Sequence, residues 1–209
     1  MRILAHRGIW QNREDGHSFV ALTAALSGNY GIEFDVRDSN GTLVIAHDVV
    51  VGVKPPAIEL VDAYFEMSSS QTLAVNIKAD GIGALIADLM TQQGVKNYFC
   101  FDMSVPETLR YRRLGLRYFT RQSEYEKDPV LYQDAAGVWM DMFESDWITS
   151  DDVSRHLDCG KQVALVSPEL HGRPHDLFWE RLRDAGLGGQ DGVMLCTDHP
   201  DSARSFFDA

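Results

Sequence analysis

Short apolar runs alternate with amphipathic stretches from one end of the chain to the other, and that alternation predicts its elements. Residues 2–7 read as a first strand. Phe19, Leu22 and Leu26 fall at helical spacing over 18–26, and Gly28 is a helix stop. Residues 31–37 form a second strand. Asn40-Gly41 then marks a hairpin-like turn, so 42–47 runs back as an extra strand. A helix over 58–67 leads to a strand over 72–78, and Ile82, Leu85, Ile86 and Leu89 make an apolar helical stripe after it. Residues 98–102 are the next strand. Ser104-Val-Pro106-Glu107 combines a capping box with a proline in the first turn, which starts a helix. Further strands are expected at 117–121, 137–142, 162–169 and 192–198. Helices are expected at 129–135, 151–157, around Phe178, Leu182 and Ala185 up to Gly186, and at 202–207.

Leaving the hairpin strand aside, this makes eight strand–helix units with no long linker, low-complexity segment or composition break. Such alternation implies a parallel sheet. Eight units imply an α/β (β/α)8 TIM barrel, and 209 residues sit at the lower end for that fold. The expectation is one small domain over 1–209, with a short insertion between the second unit's strand and its helix. An open doubly wound sheet is the alternative. It would carry a glycine-rich phosphate loop after its first strand, and His6-Arg7-Gly8 is not one.

In a barrel the strand C-termini share one mouth, where activity resides. His6, Asp35, Lys78, Asp102, Arg121, Asp141, Glu169 and Asp198 stand at those ends. Asp141, Glu169 and Asp198 equally suit helix capping. Arg121, Trp139, Asp141, Glu169 and His171 are candidate substrate contacts, although core packing also explains Trp139, as it does Trp10. Arg173 and His175 follow His171 in a segment that reads as a site loop or a solvated one.

The densest chemistry lies in the first fifth of the chain. Glu33 and Asp35 are two apart, so on a strand both carboxylates point to one face. Their repulsion is relieved by a hard cation such as Mg²⁺ or Ca²⁺, or by pairing with Lys78 and Arg7. His6 and His47 each end a strand-like run, where an imidazole reaches a substrate held there. The net charge of −12 argues against a nucleic-acid partner, but an anionic small substrate stays open because a bound cation reverses the local field. No apolar run approaches membrane-spanning length, and the expected early strand leaves no room for a signal peptide. Cys100, Cys159 and Cys196 show no metal-ligand spacing; Cys100 and Cys196 read as core residues in a reducing compartment, and the protein as cytoplasmic.

The order Ala5-His6-Arg7-Gly8, Glu33-Phe-Asp35-Val36, Ala46-His47-Asp48, Lys78 and Thr197-Asp-His-Pro200 resembles the glycerophosphodiester phosphodiesterase family, among the phosphatidylinositol-phospholipase-C-like barrels. The resemblance spans the chain, dense in the first fifth and thin between Lys78 and Cys196. It implies phosphodiester hydrolysis in lipid metabolism, on a small phosphodiester such as a glycerophosphodiester or sugar-phosphate diester. His6 and His47 then match an acid/base pair, Glu33 and Asp35 two metal ligands, and Arg7 and Lys78 phosphate contacts.

The resemblance breaks at Asn76, where the family carries an acidic third ligand two residues before the lysine. An amide oxygen still suits a hard cation but brings no charge, and Asp102 is a candidate for the missing carboxylate. The segment between His47 and the next helix is also short where many family members insert a cap. Two other functions compete. A catalytically silent phosphate-binding barrel is supported by Asn76. A lipid-directed phospholipase ranks lower, because no apolar membrane-facing segment or basic patch is evident, and no stable membrane association is expected.

Overall fold

The computed structural model describes residues 1–67 and 69–208. The chain divides into two compact units, Ala5–Tyr118 and Met1–Leu4 with Phe119–Ala209. β1 (Arg2–His6) spans the division. The first unit continues with α1 (Phe19–Ser27), β2 (Gly31–Ser39), β3 (Thr42–Ile45), α2 (Ala57–Glu66), β4 (Leu73–Ile77), α3 (Gly83–Gln92), β5 (Tyr98–Phe101) and α4 (Val105–Arg113). The second holds β6 (Phe119–Gln122), β7 (Gly137–Met140), α5 (Ser150–Asp158), β8 (Gln162–Val166), α6 (Asp176–Asp184), β9 (Val193–Thr197) and α7 (Pro200–Phe207). The strand order is β5-β4-β2-β1-β9-β8-β7-β6, with β3 added to β2. Apart from that hairpin strand and the lack of a helix between β6 and β7, this is the element and strand order of a (β/α)8 chain.

Local chemistry explains most boundaries. The hydroxyl of Ser18 accepts from Ala21 N–H and starts α1. Asn40 and Gly41 take φ of 50° and 79° between the paired residues Ser39 and Thr42, so β2 and β3 form a two-residue hairpin. The parallel strands are buried on both faces and therefore read as near-continuous apolar runs. Cys100 and Cys196 are fully buried. No described helix is long and apolar enough to cross a membrane.

Two expectations change. Residues 129–135 form turns instead of a helix. Leu131 has φ 55°, which breaks helical continuity. The nearby carbonyls are satisfied from elsewhere: Val130 O by the Thr120 hydroxyl at 2.6 Å, Gln133 O and Ala135 O by Lys161 Nζ at 2.8 Å each. The capping box at Ser104 forms only half. Ser104 Oγ accepts from Glu107 N–H, but the buried Glu107 carboxylate accepts from Gly83 N–H at 3.2 Å, at the start of α3.

Gly8 shows why the first motif ends in glycine. Its φ is +92°, and an added Cβ would lie 2.5 Å from Ala21 C and O on α1. Gly8→Ala is expected to destabilise the protein by about 3 kcal/mol, combining backbone strain and overpacking. Gly160→Ala, at φ +73° but in open space, should cost about 1 kcal/mol. Chemical denaturation of both variants checks the difference.

Candidate active site

Strand register decides which side chains of the first unit meet. On β2, Glu33 and Asp35 share a face. β4 pairs in parallel with Asp35 opposite Asn76, so Asn76 takes the carboxylate face and Lys78, two residues on, follows it. β5 sets Phe101 opposite Asn76, which brings Asp102 to the strand end beside Lys78. The turn after β1 adds two more groups. Arg7 has φ 60°; its N–H donates to Glu33 O, and its own carbonyl accepts from His17 N–H, both at 3.0 Å. That clamp brings in His17, a residue the sequence reading did not single out.

The resulting cluster is buried and polar. His6 Nε2 lies 3.9 Å from Glu33 Oε2. Asn76 Nδ2 donates to Glu33 Oε1 at 3.2 Å. Asp35 is ringed by His17 Nε2 at 3.0 Å, Lys78 Nζ at 3.4 Å and Arg7 Nε at 3.6 Å. Lys78 Nζ also lies 3.8 Å from Asp102 Oδ2, so Asp102 stands on the lysine side of the cluster. Trp10 Nε1 donates to His6 O at 2.9 Å, tying that tryptophan to the same turn. His47 lies past β3 and is 45% exposed, with Nδ1 2.9 Å from Asp48 Oδ1. It lines a cavity of about 490 Å³ together with Arg7 and His17.

Burial and neighbouring charge set the protonation of these groups. Burial, reinforced by the Asp35 charge, pushes Glu33 up to about 7 from an ordinary 4.5. Burial would also raise Asp35, but His17, Lys78 and Arg7 reverse it and hold that carboxyl at about 2. Burial lowers the pKa of His17.

Glu33 Oε2 and Asn76 Oδ1 are buried without a hydrogen-bond partner among the described residues, and the buried Asp35 oxygens are met by the ion pairs to His17, Lys78 and Arg7. Such atoms are costly unless something else satisfies them. Oxygen donors of this kind fit a hard cation. The set has two carboxylates and an amide, and among the described residues no group of three or more His, Cys, Asp or Glu side chains is arranged to hold a metal.

The other candidates lie in the second unit and form their own networks. Arg121 pairs with Glu126. Trp139 is buried. Asp141 Oδ1 accepts from Met142 N–H at 2.8 Å and lies 2.7 Å from His171 Nε2. Arg173 holds Met142 O at 2.6 Å and pairs with Asp146, so the loop after β8 is anchored. Glu169 receives the Ser167 and Thr197 hydroxyls and, at 3.2 Å, Asp198 N–H, with His175 Nδ1 3.6 Å away. Its partners are those of a structural tie between β8 and β9.

An apolar segment is exposed beside His47: Val49, Val51 and Val53 are 75, 83 and 99% accessible, and all three line the same cavity.

No family model and no curated protein matches the chain, but solved structures do. A protein from Galdieria sulphuraria, provisionally assigned as a glycerophosphodiester phosphodiesterase, superposes with a TM-score of 0.80 over 100% of this chain and 98% of its own, at 16% identity. An Oleispira antarctica phosphodiesterase solved with the product sn-glycerol-3-phosphate gives 0.72, covering 100% and 97% at 15% identity. A Ca²⁺-dependent phosphatidylinositol-specific phospholipase C from Streptomyces antibioticus gives 0.57, covering 100% and 96% at 9% identity. The likeness shows that the chain has the (β/α)8 fold found in glycerophosphodiester phosphodiesterases.

The raised Glu33 carboxyl gives a signed pH effect. Its folded pKa exceeds the unfolded one, so its stabilisation is complete below about 4.5 and lost as pH rises through about 7. In EDTA, Glu33→Gln should therefore gain stability over wild type between pH 5 and pH 8, by on the order of 3 kcal/mol. Denaturant titration at the two pH values measures it.

Proposed function

We propose that the chain is a metal-assisted phosphodiester hydrolase acting on a glycerophosphodiester or related sugar-phosphate diester. The observation that carries this reading is the buried oxygen cluster of Glu33, Asp35 and Asn76, in which Glu33 Oε2 and Asn76 Oδ1 have no hydrogen-bond partner among the described residues, beside Arg7 and Lys78. The fold supports it, because solved proteins of that fold include a phosphodiesterase holding sn-glycerol-3-phosphate. A Ca²⁺-dependent enzyme among them supports a divalent cation, Mg²⁺ or Ca²⁺. Glu33, Asp35 and Asn76 would hold that ion, which when bound supplies positive charge for a nonbridging phosphoryl oxygen.

The residues of the chain do the rest. Arg7 and Lys78 face the charge that grows on the phosphoryl oxygens in the transition state. Asp48 at His47 Nδ1 favours the tautomer with its proton on Nδ1, leaving a lone pair on Nε2. His47 in that form takes a proton from the attacking water or hydroxyl. His6, beside Glu33, gives one to the leaving alkoxide. Asp35 keeps both cationic side chains oriented toward the cluster.

Turnover of glycerophosphodiesters should vanish in EDTA and return with Mg²⁺ or Ca²⁺. His6→Ala and His47→Ala should each lower kcat by about 10²–10⁴-fold; unchanged turnover in either variant removes that residue from the chemistry.

The amide at position 76 gives a second test. Asn76→Asp adds a third carboxylate next to Glu33 and Asp35. It should tighten Mg²⁺ and Ca²⁺ binding by calorimetry while lowering the melting temperature in EDTA, through like-charge repulsion. Equal metal affinity in the variant and wild type rules out Asn76 as a ligand.

A further inference from the structure

The connection between β3 and α2 carries four valines in five positions. Val49, Val51 and Val53 are largely or fully exposed, and Val50 is half-buried. Gly52, at φ +75° and with open space around an added Cβ, turns the backbone between Val51 and Val53. The base of the loop is pinned. Ile45 N–H donates to Pro55 O at 2.8 Å, and Val44 bridges to Pro56. The valines thus form a lobe closed at its root, presenting apolar surface that the fold itself does not bury.

This lobe has a defined neighbour. Val49, Val51 and Val53 line the same cavity of about 490 Å³ as Arg7, His17 and His47. The cavity wall combines the cationic side chains of Arg7, Arg13 and Lys54 and two imidazoles with the carboxylates of Glu14 and Asp48 and a run of branched apolar side chains. The ligand chemistry that matches such a wall is amphiphilic, an anionic phosphodiester joined to a hydrocarbon chain.

We propose that the valine lobe, residues 49–53, binds the hydrocarbon chain of a single-chain phosphodiester, a monoacyl or monoalkyl glycerophospholipid, whose phosphate lies toward Arg7. The proposal rests on the phosphodiesterase reading of the site and narrows its substrate class. A net charge of −12 opposes docking on an anionic bilayer, which favours a free single-chain amphiphile as the occupant.

The test is calorimetric binding of n-alkyl phosphates, butyl to decyl, each below its critical micelle concentration, with Mg²⁺ present. Wild type is compared with the double variant Val51→Ser, Val53→Ser, whose fold is checked by its melting temperature. Affinity in wild type should rise with chain length, by up to about fourfold per methylene. The slope should fall by at least half in the variant. A flat or absent series in wild type, or an unchanged slope in the variant, overturns the proposal. So does valine-dependent cosedimentation with phosphatidylcholine vesicles when the alkyl series stays flat, which would make the lobe a bilayer contact. Parallel turnover assays on alkyl glycerophosphodiesters separate the two readings. Chain-length-dependent binding without turnover removes the hydrolase and leaves the lobe. Turnover without chain-length dependence does the reverse.

Discussion

Two carboxylates buried two residues apart on one strand are the constraint from which the rest of the site follows. Glu33 and Asp35 point to the same side of β2, and both are almost inaccessible to water. Left alone, two buried like charges would be prohibitive. The chain resolves them differently. Asp35 is surrounded by Arg7, Lys78 and His17 and stays ionised. Glu33 has an amide and a histidine as its nearest partners among the described residues and, buried beside the Asp35 charge, keeps its proton up to about 7. One strand thus holds a fixed negative charge and a titratable one, the asymmetry that acid–base sites are built on.

The surrounding turns serve that arrangement. Arg7 reaches Asp35 because the backbone after β1 enters the left-handed region at Arg7 and Gly8, and the Arg7 backbone bonds to Glu33 on one side and His17 on the other. Gly8 lets this turn lie directly on α1. Asn76 takes its place for the same reason that Asp35 does, since the two are register partners on adjacent strands. An amide there donates a hydrogen bond to Glu33 and spares the cluster a third negative charge. Glu33 thereby gains a hydrogen-bond partner.

The second unit meets the same demand for satisfied buried polar groups in another way. Glu169 is filled by two hydroxyls and a backbone amide, and Asp141 by an amide and His171. Neither Glu169 nor Asp141 keeps a buried oxygen without a hydrogen-bond partner of the kind found on Glu33 and Asn76. The contrast explains why strand-end acids that look alike along the chain differ in chemical potential once folded.

Sequence by itself determined the element order, because alternation of apolar runs, Ser18 and Ser104 as caps and the Asn40-Gly41 turn are local signals that neighbouring residues enforce. It also determined that Glu33 and Asp35 share a face, since strand periodicity alone dictates it. The helix expected over 129–135 failed because Thr120 and Lys161, distant along the chain, take the carbonyls a helix would use. Glu107 turned from its own cap to Gly83 for the same kind of reason. Only tertiary structure set Asn76 against Glu33, drew His17 to Asp35 and left the valines after His47 uncovered. Each depends on strand register or on which surfaces remain unpacked, and both are settled by contacts between residues far apart in the chain.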